Sequence, residues 1–168
     1  MSAGSSLKII KYKEVPKKLA VIGIGNTLRR DDGIGIMVSE SLLKFYRKKG
    51  IDYFDFGSAS FDLLSRIKTY DTAILIDGID AGLNVGELLI IELKDIDCKL
   101  DNSVTSTHEL NLKSILEFSK KLGIKTRIFV AGIQVLDTSF GEGISEALEQ
   151  KKEEIIKEIA TFVDKKFL

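Results

Sequence analysis

The stretch that decides the fold is "AVIGIGNTLRRDDGIG", Ala20 to Gly35. An apolar run from Leu19 to Gly25 leads into a glycine turn, and Gly33 to Lys49 then carries Ile34, Val38, Leu42 and Phe45 at helical spacing. A continuous apolar run bounded by glycine is the pattern of a strand buried on both faces, as in a parallel sheet. A turn of this kind usually holds phosphate at the start of the following helix. Here two carboxylates, Asp31 and Asp32, stand where the phosphate would sit. Leu28 fills the position at which a dinucleotide turn needs its third glycine. A pyrophosphate facing both aspartates in a partly buried cleft would lose a few kcal/mol to repulsion. No nucleotide cofactor is expected.

Outward from this stretch the chain alternates strand and helix. "IDYFDFG", Ile51 to Gly57, reads as a second strand and "FDLLSRIKTY" as the helix after it. "TAILI", Thr72 to Ile76, is a third buried strand ending at Asp77. Too few residues follow for a crossover helix, so Glu87 to Leu93 is expected to return antiparallel as a hairpin edge. Lys94 to Thr107 then carries the chain back across the sheet to a helix in "STHELNLKSILEFSKKLG", ended by Gly123. "RIFVAGI", Arg127 to Ile133, is the last parallel strand, and Leu148, Ile155, Ile159 and Phe162 mark one face of a long C-terminal helix. The reading is a single-domain α/β three-layer sandwich over residues 19–168. Its twisted, mostly parallel sheet has about five strands, one of them an antiparallel edge, with helices on both faces.

The composition of the 168 residues agrees with one soluble core. Apolar residues make up 44%, and 25 basic side chains balance 25 acidic ones to a net charge of zero. That balance disfavours a nucleic-acid partner, which calls for a basic face. Residues 1–18 read as an N-terminal tail, and the chain holds no span of about 20 apolar residues, so no membrane partner is expected and a cytoplasmic location is. The one cysteine, Cys98, excludes an internal disulfide and a multi-cysteine metal site.

In doubly wound sheets, ligands bind beyond the carboxyl ends of the strands. What falls there is acidic: Asn26, Asp31 and Asp32 after the first strand, Asp55 after the second, Asp77 and Asp80 after the third. Like charges at close range raise one another's pKa and destabilise a fold, so a cation is the economical explanation. The one histidine, His108, follows Ser106, which with Glu109 forms an S-x-x-E capping box and puts His108 near a helix start. The positive helix end keeps an imidazole neutral and able to ligate. Two carboxylates and an imidazole with open positions suit a transition metal. Each residue also has a plainer explanation. Asp32 can cap the following helix, Asp77 can bond local amides in a turn, and His108 can be an ordinary surface residue.

"GIGNTLRRDDGIG", "DFGSASFDLL", "ILIDGIDAGLNVGEL" and "STHELNL", in that order, resemble the hydrogenase maturation endopeptidases, which process [NiFe]-hydrogenases. The resemblance covers essentially Leu19 to Leu168. It implies a twisted sheet between helices, and an endopeptidase that removes a short C-terminal extension from the hydrogenase large-subunit precursor once nickel has been inserted. The nickel is carried by the substrate. The resemblance implies Asp32, Asp77 and His108 as metal-contacting and catalytic residues. It puts Asn26, Asp55 and Gly57 near the substrate, and matches Asp80, Gly82 and Gly86 to the turn after the third strand. Arg30 stands where the family often has glycine and Val85 where it often has proline, and "GIQVLD" lacks a frequent proline. A monomer would suit an enzyme that must embrace a large protein.

No H-E-x-x-H helix, G-x-S-x-G elbow or Cys/His pair supports a conventional protease. Two other readings remain at this stage. One is a peptidyl-tRNA hydrolase-like esterase, which would need a basic groove. The other is a nickel-checking assembly factor that does not cut.

Overall fold

The computed structural model describes residues 18–57, 61–96, 105–106 and 112–168. Strands β1 (Leu19–Ile24), β2 (Ile51–Phe56), β3 (Thr72–Asp80), β4 (Leu88–Glu92), β5 (Thr105–Ser106) and β6 (Arg127–Gln134) form one sheet. Helices α1 (Ile34–Phe45), α2 (Phe61–Ile67), α3 (Leu112–Lys121) and α4 (Lys152–Phe167) cover it, the last preceded by a helical turn at Glu146–Glu149. The strand order is β2-β1-β3-β6-β4, with β5 paired to β3 outside that path. Pairs among β2, β1, β3 and β6 are parallel.

Alternation along the strands explains the layers. Leu19 and Val21 pack with α1 and α4, while Ala20, Ile22 and Ile24 pack with α2 and α3. In β3, Ile74 and Ile76 belong to the first cluster and Ala73 and Leu75 to the second. Because successive side chains point to opposite faces, a sheet covered twice must be apolar at both parities. The C-terminal helix is locked by edge-to-face contacts of Phe129, Phe162 and Phe167, with ring centroids 5.5–5.8 Å apart. Among the described residues no helix is long and apolar enough to cross a membrane.

Several boundaries differ from the sequence reading. The antiparallel edge strand β4 pairs with β6 rather than making a hairpin with β3, because the last strand inserts between them. Strand β3 runs on through Asp77 to Asp80, beyond the end of its pairing with β1 at Gly23–Ile76. Its continuation is stabilised on one edge by β6 and at Ile79–Asp80 by the short antiparallel β5. Phe45 is exposed instead of buried. The four-residue step from Ile34 through Val38 and Leu42 leads to Tyr46, and that ring packs on the core. Residues 1–17, Cys98 and the 107–111 segment, which holds His108, Glu109 and most of the expected capping box, lie outside the described residues.

The order in which strands are added reverses at β1. The crossover through α1 puts β2 on one side of β1, and the crossover through α2 puts β3 on the other. The two helices therefore lie on opposite faces, and a crevice opens between the carboxyl ends of β1 and β3. Helix α1 enters this crevice at Gly35. A Cβ there would stand 2.2 Å from the Ile76 carbonyl oxygen and 2.3 Å from that of Ile24. Neither backbone oxygen can withdraw without breaking the sheet, so Gly35→Ala should cost at least ~2 kcal/mol, measured by urea unfolding.

Candidate active site

The loop between β1 and α1 folds back on itself around Asp32. Gly25, at φ +156°, lies so close to the Asp32 carbonyl oxygen that an added Cβ would be 2.2 Å from it. The Asn26 N–H donates to that oxygen (3.3 Å), the Arg29 N–H to the Asn26 carbonyl (3.0 Å) and the Asp32 N–H to the Arg29 carbonyl (3.0 Å). Asn26 itself is exposed, and its Oδ1 accepts the Leu28 N–H in an Asx turn. Arg30 has φ +44°, the left-handed region that favours glycine, which accounts for glycine being frequent there in the resembled family. Arg30 is held in place by its N–H bond to Gly141 O and an ion pair with Asp137 at 3.5 Å.

This folding buries Asp32 to 1% exposure. Helix α1 has Gly33 at its cap position with no side-chain cap bond, so Asp32 is not its N-cap. Asp77 is 3% exposed and lies within β3, not in a turn. Its parity is that of Ala73 and Leu75, toward the α2 and α3 layer. Gly35 touches the carbonyls of both Ile24 and Ile76, so the start of α1, just after Asp32, packs against the β3 residue that precedes Asp77. Strand β5 pairs with Ile79–Asp80 just beyond, and His108 comes two residues after it in the sequence.

The neighbouring Asp31 has a different task. It is fully buried. Its Oδ2 accepts the N–H groups of Leu136 (2.9 Å) and Asp137 (3.0 Å) and the Ser145 hydroxyl (2.9 Å), and its Oδ1 accepts the Ser145 N–H. The sequence reading assigned both aspartates of the turn to a cation. The structure corrects this, because the carboxylate of Asp31 is occupied by the loop that follows β6. No local signal marks such a partner, which lies more than a hundred residues away.

Gln134, at the end of β6, was also not singled out. Its Oε1 accepts from Ala81 N (2.8 Å) and Leu83 N (3.2 Å), and its Nε2 donates to Asp80 Oδ1 (3.2 Å) and Val135 O (2.9 Å). All four bonding positions of the buried amide are used, so it fixes the turn after β3 and with it Asp80. Asp55 lies elsewhere, on the α1 side of β2. Partial burial first, and then the charge of Glu40, push its carboxyl above the ordinary value, against a lowering bond from Ser39. Gly57 is exposed, and a Cβ there would meet nothing within 4 Å, so no local packing demands glycine. Among the described residues no three His, Cys, Asp or Glu side chains gather as a metal-holding group.

A carboxyl raised in the folded state binds its proton more tightly there than in the unfolded chain, so stability falls as pH rises from 3.8 through the raised value. Asp55→Asn should therefore raise the melting temperature at about pH 7 and leave it unchanged at about pH 3, where both states are protonated. Asp31→Ala should cost ~2–4 kcal/mol in urea unfolding, because a fully buried carboxylate is removed and three part-buried N–H groups lose their acceptor.

With the geometry in place, comparison with known proteins is informative. The family model HycI, hydrogenase maturation protease, matches residues 36–162. A Methanocaldococcus jannaschii protein named provisionally as a hydrogenase maturation protease is 36% identical over 131 residues, covering 70% of this chain and 72% of its own. The hydrogenase 2 maturation protease of Escherichia coli is 30% identical over 114 residues, 62% of this chain and 69% of its own. Among solved structures, the [NiFe] hydrogenase maturation protease HycI from Thermococcus kodakarensis superposes with a TM-score of 0.70 at 26% identity, covering 89% of this chain and 94% of that one. The chain spans 62% and 60% of the length of the first curated relatives it matches, hydrogenase expression/formation proteins HupD. The α/β fold thus belongs to a known class, and the chain is a member of the hydrogenase maturation protease family.

Proposed function

We propose that this protein is the endopeptidase that removes a short C-terminal extension from a [NiFe]-hydrogenase large-subunit precursor, with nickel already in that precursor as the signal to cut. The observation that supports the reading is the pair of buried carboxylates, Asp32 and Asp77, 45 residues apart in sequence, one before α1 and one within β3 where the start of α1 packs against that strand. Family membership supplies the reaction class.

Asp32 and Asp77 offer hard oxygen donors and His108 a nitrogen donor, a set that suits the open coordination positions of a divalent transition ion. Contact with these residues tests whether the substrate's ion is present and holds the adjacent peptide bond in one position relative to the site. Held there, the substrate's ion would polarise the carbonyl of that bond or carry the attacking water, and a carboxylate of the site would accept the water's proton. Asp77 lies within β3 and Asp32 in the hydrogen-bonded turn that precedes α1, so the donors move little when the substrate arrives. The proposal leaves Asn26, exposed in the loop before Asp32, and Asp55 and Gly57, at the end of β2, as the residues that would meet the polypeptide flanking the scissile bond.

The test is to mix the purified chain with nickel-loaded and nickel-free precursor and follow the precursor C-terminus by mass spectrometry. Loss of a C-terminal peptide from the loaded form alone is expected. Asp32→Asn and His108→Ala should each lower the rate by about 10²–10³-fold, since metal contact stabilises a transition state by several kcal/mol. Both variants should keep the melting temperature within a few degrees. Full processing by folded His108→Ala would remove the model.

A further inference from the structure

Three large apolar side chains stand in water near the site: Leu28 at 52% exposure, Leu136 at 63% and Phe140 at 82%. Single exposed apolar residues are ordinary on any surface. These three are set apart by their placement on two loops that are bonded to each other. Residues 28–30 and Gly141 form a small parallel bridge, with Gly141 N–H donating to Leu28 O (2.9 Å) and Arg30 N–H to Gly141 O (2.9 Å). Asp31 then clamps both ends of the 136–145 loop, at Leu136–Asp137 and at Ser145.

The polar side chains of the two loops are largely spent inside the assembly. Arg29 Nε donates to Thr138 O (3.2 Å), Arg30 pairs with Asp137, and Asp137 Oδ1 accepts the Ser139 N–H (2.9 Å). Asn26 and Ser145 are bonded within the loops as described above. The two loops carry no net charge, Arg29 and Arg30 balancing Asp137 and Glu142, and the large side chains they expose besides Arg29 and Glu142 are the apolar Leu28, Leu136 and Phe140, which favours an apolar partner over a strongly acidic or basic one. The anchoring also means that little conformational freedom is lost when a partner binds.

We propose that loops 26–30 and 136–145 form a platform that binds an apolar stretch of the hydrogenase precursor next to the bond being cut, and that Asp31 is the positioning residue that holds it. The inference rests on the proposed endopeptidase function. The occupant is assigned by continuity, because Leu28 belongs to the loop that closes over Asp32, and a polypeptide whose scissile bond reaches Asp32 must pass this loop. A second copy of the chain is the competing occupant.

The test uses full-length protein and nickel-loaded precursor, with affinity measured by surface interferometry and cleavage by mass spectrometry. Leu136→Ser/Phe140→Ser is expected to weaken precursor binding tenfold or more and raise KM by a similar factor, with kcat changed less than threefold. Phe140→Leu should restore most of the affinity in the single-site comparison with Phe140→Ser, because any apolar side chain serves. Circular dichroism and thermal melting verify that these surface variants fold. Unchanged affinity and KM in the folded double variant would overturn the proposal, as would a wild-type dimer in sedimentation that the double variant abolishes while precursor binding persists. Platform-dependent binding without cleavage would sink the endopeptidase reading and keep the platform. Neither binding nor cleavage by wild type would sink both.

Discussion

Helix α1 starts where no side chain can stand. Its second residue, Gly35, sits within van der Waals range of the carbonyls of Ile24, which ends β1, and of Ile76 within β3, and that contact brings the helix into the crevice between the two strands. The loop before it has no other place to go, and must turn back through Gly25 and the left-handed Arg30 to reach the helix. Burial of Asp32 follows from this packing. Asp77 reaches the same place because β3 outruns β1 by several residues, leaving its final residues without a parallel neighbour on that edge.

The split between Asp31 and Asp32 shows how one turn serves two ends. Consecutive residues of a tight turn point in different directions, so Asp31 ties the turn to the chain beyond β6 while the Asp32 carboxylate is turned elsewhere. Asp31 compensates its burial with four hydrogen bonds from groups that would themselves lack partners in its absence. Gln134 does comparable work one strand away, where a single amide joins the end of β6 to the turn after β3. The crevice is thus framed by polar side chains buried for structural reasons, and this lets the loops around it expose apolar ones.

Much of the fold was legible in the sequence because it depends on local patterns. The apolar runs at Leu19–Ile24, Thr72–Ile76 and Arg127–Ile133 have the length and bounds of buried parallel strands, and the helical spacing after Gly33 fixes α1. The position of β4 was not legible. A short return after β3 looks like a hairpin, and only the later strand β6, 40 residues further on, decides that the neighbour is another one. The extra length of β3 escaped notice for a related reason: Asp77 and Asp80 look like turn residues until β5 and β6 are seen to pair beside them.

The same division holds for the candidate site. Sequence alone determined that carboxylates replace phosphate at the glycine turn, because residue type and spacing fix charge and reach, and it singled out Asp32, Asp77 and His108 through the order of the motifs. Tertiary structure alone decided that Asp32 and Asp77 are both buried, that Asp31 belongs to the scaffold, and that Asp55 lies on the α1 face with Ser39 and Glu40. Those outcomes depend on contacts between segments far apart in the chain. No local pattern encodes them, since a carboxylate has the same charge whether its partner is a cation, a water molecule or a backbone amide a hundred residues away.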